Sequence, residues 1–209
     1  MKKPTEAPLG ALQRPEYSSG KYLGSQDLGT EQRYRLQRSR RHNRHLHGWG
    51  VVCGLWVVPA GDATRPWQVQ VCPGFALGPH GDEIEVSTPA PVSIHDYLWR
   101  RPLNVRAMNI AYVGIRYAER QMRPVPAKPL GCSCEETIYQ PARIKDGFQI
   151  DILWTLPAAI AEQIFDICES GIAPCSECPD SPYVLLARIR LPVHESDPIG
   201  YCHIEHWGR

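Results

Sequence analysis

The spacing of apolar residues changes between residues 47 and 51, and that change limits the possible folds more than any other feature of the chain. Before it, Leu28, Leu36 and Leu46 fall on one stripe of a helix beside Gln32, Ser39 and Asn43, following the helical period of about 3.6 residues. After it, apolar and polar residues alternate, with Trp67, Val69 and Val71 against Gln68 and Gln70, and Ile84 and Val86 against Glu83 and Glu85. That is the period of half-buried strands. A helix from about Asp27 to about Leu46 therefore gives way at Gly48 to an antiparallel meander. Ser25, Asp27 or Thr30 suits its start, and the arginines and histidines of its last turns suit the negative end of the macrodipole. The apolar stripe is thin, so this helix needs a partner, either the protein's own body or another subunit.

Further along, Val51 to Val58 reads as a buried strand, and tight turns are expected at "PAGD", "CPG" and "GPHGD". Asn109 to Tyr117 is a strand, followed by a proline-rich loop at "RPVPAKP" within a longer loop from Arg120 to about Gly147. Phe148 to Trp154 is a strand, Pro157 opens a short second helix with Ile160, Ile164 and Ile167 on one stripe, and "YVLLARIRL" is the last strand. Twenty prolines and 17 glycines beside only three phenylalanines favour short strands and ordered turns over a helical bundle. The expected fold is mainly β with one N-terminal helix and a short second helix. It is an antiparallel sandwich or barrel-like meander whose second half is clamped by cysteines. Its expected parts are an extended docking arm over 1–24, the basic helix and β module over 25–117, and a cysteine-containing β-rich module over 118–209.

The formal net charge is +1, so only a local charge argument is open. Residues 31–47 hold Arg33, Arg35, Arg38, Arg40, Arg41 and Arg44 against Glu31 alone, a net of +5 that leaves −4 for the rest. The N-terminus has lysines with no apolar run behind them, and no stretch of about 18 apolar residues occurs, so neither a secretory signal nor a membrane span is expected.

In "RRHNRHLHGWGVVCGL", residues 40–55, His42 and His45 share a helix face, but no carboxylate lies between Glu31 and Asp62 to activate a metal-bound water. A metal-dependent hydrolase is therefore the weakest reading, and no catalytic residue is assigned. Six arginines on one helix could meet nucleic acid phosphates, although few aromatic residues stand among them to stack on bases. The same arginines could dock on an acidic patch of a protein, with Arg33, Arg38, Arg41, Arg44 and His45 as the contact residues.

One feature of this region goes beyond charge. "KYLGSQDLGTEQRYRLQRSRRHNRHLHGWGVVCGLWV", followed by "VQVCPGFALGPHGDEIEV", resembles the module shared by structural proteins of extracellular contractile injection systems and related phage-tail baseplates. The resemblance is carried by Tyr22, Gly24, Asp27, Glu31, Gln32, Tyr34, Asn43, His47, Gly48, Gly50, Gly54 and Leu55, then Pro73, Gly74, Ala76, Gly81, Ile84 and Val86. It covers roughly residues 20–95, and Gly78 departs from it where an acidic residue is common. It implies a non-enzymatic structural component of a phage-tail-like particle at the baseplate, spike, fibre or terminal cap. Its implied partners are other subunits of that particle, present as a homo-oligomer or in multiple copies, with neither membrane nor nucleic acid among them. The resemblance implies synthesis in the cytoplasm and assembly into a particle that is extracellular after release. The alternative is a zinc-containing nucleic-acid-binding protein using the Arg-rich helix.

The chain has eight cysteines. Cys175 and Cys178 form a Cys-x-x-Cys turn that can supply half of a tetrahedral zinc site, and Cys132 and Cys134 can supply the rest, with Cys168 as an alternate ligand. Structural zinc is the expected cofactor. Disulfides, an iron-sulfur cluster and free thiols stay open. Cys53 and Cys72 read as small core side chains, and Cys202, His203 and His206 as a strand end with some capacity to bind metal.

Overall fold

A computed structural model of the chain describes residues 12–103, 109–127, 138–156 and 180–206. Helix α1 spans Ser25–His42 and runs on into a π-helical turn, Asn43–His47. Of the expected caps, Asp27 is the one used, its carboxylate accepting a hydrogen bond from the Gly24 amide at 3.0 Å. The helix stops at Gly48, whose φ of +73° suits glycine.

Six short strands follow: β1 (Gly50–Gly54), β2 (Val57–Pro59), β3 (Gln68–Val71), β4 (Gly74–Leu77), β5 (Glu83–Val86) and β6 (Ala90–Ser93). They build two antiparallel three-stranded sheets, ordered β1-β4-β5 and β2-β3-β6. Read along the chain, these are three long strands, each of which leaves one sheet and enters the other at a bend. "CPG" is consequently not a turn between paired strands, since β3 and β4 belong to different sheets. It is the bend of the middle strand. "GPHGD" is the turn joining β4 to β5, closed by the Gly78 amide on the Asp82 carbonyl at 2.7 Å.

At the bend, Gly54 and Leu55 both take positive φ, at 61° and 55°. A Cβ on Gly54 would press into the Pro73 carbonyl, and one on Gly74 into the backbone of Cys53 and Leu55. Two strands thus touch backbone to backbone where they turn together. The outer strand, 50–59, is less buried than its apolar run suggests, because only Leu55 and Val57 are fully buried while Val52, Cys53 and Trp56 are exposed. A register shift between Val51 and Cys53 and the bend at 54–55 break the simple alternation. Cys53 is therefore not a core residue, and Cys72 is only half-buried.

The last sheet, β10-β9-β7-β8, is antiparallel and contains β7 (Ile110–Ala127), β8 (Ile138–Leu153), β9 (Val184–Arg190) and β10 (Ile204–Glu205). Its inner residues, among them Val113, Ile115, Leu186 and Ile189, share one core with Leu55, Val57, Val69 and Ile84 of the meander. The chain is mainly β, with antiparallel sheets and one N-terminal helix. β7 and β8 outrun expectation: the segment expected as a loop from Arg120 is a two-stranded ribbon paired as far as Ala127 and Ile138. Pro124 and Pro141 sit opposite each other in it, a placement tolerated because no third strand needs their missing amides. Strand pairing fixes the described part of this segment. The expected second helix, together with Cys132, Cys134, Cys168, Cys175 and Cys178, lies outside the described residues.

Replacing Gly54 with Ala should lower stability by about 3 kcal/mol or more, combining a strained φ with backbone overlap. Urea unfolding should show a lower midpoint. Gly29→Ala, in open space on the helix, should leave that midpoint unchanged or raise it.

Candidate protein-docking surface

Helix α1 buries none of its residues. Leu28 is 54% and Leu46 69% exposed, and Leu36 is also largely in solvent, so the apolar stripe that calls for a partner does not find one within the described residues. What fastens the helix to the body is polar and sits at its C-terminal end. Asn43, only 8% exposed, donates from Nδ2 to the Gly81 carbonyl at 3.0 Å and lies 3.4 Å from the Glu83 carboxylate. Arg40 forms an ion pair with Asp82, and its guanidinium lies 5.5 Å from the centre of the Tyr117 ring. Gly81, at φ +86°, is required here because a side chain would strike the Arg40 carbonyl. The helix end is therefore seated on the β4–β5 turn and on the root of the β7–β8 ribbon.

Tyr117 completes this seat. Its hydroxyl lies 2.6 Å from Asp146 and 3.2 Å from Glu119. Burial, then the hydrogen bond and charge of Asp146 and the charge of Glu119, hold the phenol well above its usual range. It remains a neutral phenol whose one proton goes to Asp146, the nearer carboxylate, with Glu119 beside it.

With one face fixed in this way, Arg33, Arg38, Arg41 and His45 are exposed and Arg44 is half-buried. Four of the five expected contact residues thus stand in solvent, whereas the Nε of Arg44 is covered. The segment 12–24 runs back along it, so that Arg14, Pro15 and Tyr17 border an open cleft with Tyr34, Arg35 and Arg38. Glu31 is spent on Arg35, four residues on, at 2.7 Å, which leaves the outer arginines uncompensated by their own helix. This face is strongly cationic, with exposed leucines elsewhere on the same helix.

The residues that hold the helix, Arg40 and Asn43, have no assigned role in a reading of the sequence by charge. The available signal is the Asn in the Asn-His-Gly pattern of the helix end, together with Gly81 in the turn that it meets. The histidines do not assemble into a site: the His42 and His47 rings are 5.4 Å apart, and no group of three or more His, Cys, Asp or Glu among the described residues could hold a metal ion. Near the C-terminus, His206 bonds the Val57 backbone at 3.1 Å, and the Gly200 amide donates to His203 Nδ1 at 2.9 Å. They serve as strand-end fasteners. Asp151, buried on β8, is fully engaged by Arg116, Tyr183 and Gln149.

No family model matches the chain, and no curated protein does. Among solved structures it is similar to a chain of the type VI secretion system TssK-TssF-TssG baseplate subcomplex, at 11% identity and a TM-score of 0.42, over 88% of this chain and 58% of that one. It is similar to a chain of the TssK crystal structure at 12% identity and a TM-score of 0.44, over 93% and 41%. A chain of the type VI baseplate complex aligns at 11% identity and a TM-score of 0.39, over 88% and 56%. The chain spans 41% to 58% of the length of these three.

Asn43→Ala leaves the buried Gly81 carbonyl without its donor and should cost about 1–3 kcal/mol at the helix seat. Hydrogen exchange should accelerate at residues 78–83 and in the last turns of α1, while β7 and β9 keep their protection.

Proposed function

We propose that this chain is a structural, non-enzymatic component of a phage-tail-like contractile injection particle, joined to neighbouring subunits through helix α1. The observation that carries this reading is a helix with no buried residue, fixed at one end and presenting its arginines outward. A helix held in this way contributes little to its own core, and its function lies in what it meets. Arginine and exposed leucine together suit a protein interface, where planar guanidinium groups pair with carboxylates and apolar area loses water. The sequence module over residues 20–95 supports the same role, at the baseplate, spike, fibre or terminal cap. In this reading the protein is made in the cytoplasm and leaves the cell within the particle.

The exposed arginines would also serve the alternative, contact with nucleic acid, and one experiment separates the two. Reversal of the exposed Arg33, Arg38 and Arg41 to Glu should remove the chain from sedimented particles, while the fold of the isolated protein is kept because exposed charges contribute little to stability. Normal incorporation of the variant, together with tight and salt-sensitive DNA binding by the wild type, would overturn the particle reading in favour of the other.

For the second half, zinc on Cys132, Cys134, Cys175 and Cys178 remains a proposal that rests on their spacing. Purified protein should then carry about one zinc per chain, measured by elemental analysis. Metal-free protein with these thiols free or oxidised would remove zinc from the account.

A further inference from the structure

Beyond the core, β7 and β8 continue as a ribbon exposed on both faces over 119–126 and 139–146, roughly 25 to 30 Å at strand rise. Its charges are arranged against its own stability. Glu119 stands directly opposite Asp146, and Arg120 directly opposite Lys145, and like charges across a ladder destabilise it. Successive strand residues point to opposite faces. The two pairs therefore make the root of one face acidic and the other face basic.

The basic face continues through Arg143, opposite Met122. No ion pair joins Arg120, Arg143 or Lys145 to another described residue, and Met122 is 42% exposed beside them. On the acidic side, Tyr117 holds Glu119 and Asp146 together, and Glu83 lines the same hollow as Asp146. Residues 120–127 and 138–145 contain four cations and no acid; Arg120, Arg143 and Lys145 share the basic face, and Arg123 falls on the other by alternation. With +5 on residues 31–47 and +4 here, a chain of net +1 carries −8 everywhere else. The near-neutral total conceals two cationic segments on an acidic body.

We infer that the basic face of this ribbon docks on the acidic root of a second copy of the chain. Each copy carries both halves of the contact, so the charges left opposed within one ribbon find opposite charges on its neighbour. Two different surfaces meet, so the contact is heterologous and propagates around a ring or along a filament. The contact uses neither the outward arginines of α1 nor the particle reading, and it can fail while that reading stands.

Light scattering on the full chain tests it. At physiological salt the wild type should exceed the 23.6 kDa of one chain, and it should fall toward that mass in about 1 M salt, where the screening length is about 3 Å. The triple variant Arg120→Glu, Arg143→Glu, Lys145→Glu should be monomeric, as should Glu119→Lys with Asp146→Lys. An equal mixture of these two variants should associate again, because each then offers the charge that the other lacks. The pair Arg120→Gln with Lys145→Gln relieves repulsion within the ribbon, so it cannot weaken the fold by charge, yet it should loosen self-association about tenfold. A wild type that stays monomeric would overturn the inference. So would an oligomer whose mass none of these variants changes, or a mixture that does not associate.

Discussion

The close approach of Gly54 and Gly74 is the contact on which the remaining architecture rests. Without a Cβ at either position, the outer and middle strands turn at the same level and stay hydrogen-bonded on both sides of the bend, through Leu55 to Pro73 at 3.2 Å and Cys72 to Trp56 at 2.8 Å. The bend divides one meander into two sheets whose inner residues converge on the core shared with β7 and β9. It also directs the β4–β5 turn to the place where the helix ends. Gly81 and Asp82 are available to Asn43 and Arg40 only because β4 and β5 leave the bend in that direction.

The seat so formed explains how a helix with no buried residue stays in place. Packing of an apolar face is the usual source of helix stability in proteins, and α1 lacks it. It has instead a capped start at Asp27, an ion pair four residues apart between Glu31 and Arg35, cations at its negative end, and one buried amide fixed to a turn carbonyl. The local terms contribute a few tenths to about 1 kcal/mol each, whereas Asn43 fixes direction. Directional anchoring at one end, with weak support along the length, leaves the outer face free for another molecule.

The sequence discloses the elements better than their exposure. The switch of period at Gly48, the helix limits and the β4–β5 turn are legible because each depends on local chemistry: a glycine with positive φ, a carboxylate at the first turn, alternation along a strand. The exposure of Cys53 and Val52 is not, because an apolar run looks the same in an edge strand and in a central one, and only the register shift and bend turn these residues outward. The ribbon is missed for a related reason. Prolines at 124, 126 and 141 argue for a loop when a strand is imagined inside a sheet, but a two-stranded ribbon has outward positions where no amide is required. Likewise, the outward arginines are visible from charge, whereas Asn43 acquires a role only when Gly81, 38 residues away, is placed beside it.

Helix and ribbon share a design. Both are regular elements fastened to the body at one end, and they meet at the same place, where Arg40 lies against Tyr117 and Tyr117 binds Asp146. The ribbon root therefore touches the helix seat through one ring, with Arg40 over its face and Asp146 at its hydroxyl. At physiological ionic strength, charges farther apart than about 8 Å are largely screened, so the cations of the outer helix and of the distal ribbon act independently on whatever they face. The acidic cluster between them lies within contact range of both roots. It neutralises Arg40 in the single chain and keeps Glu119 and Asp146 at the surface, so that the joint uniting the two projections is also the part of the body with anionic charge left to offer.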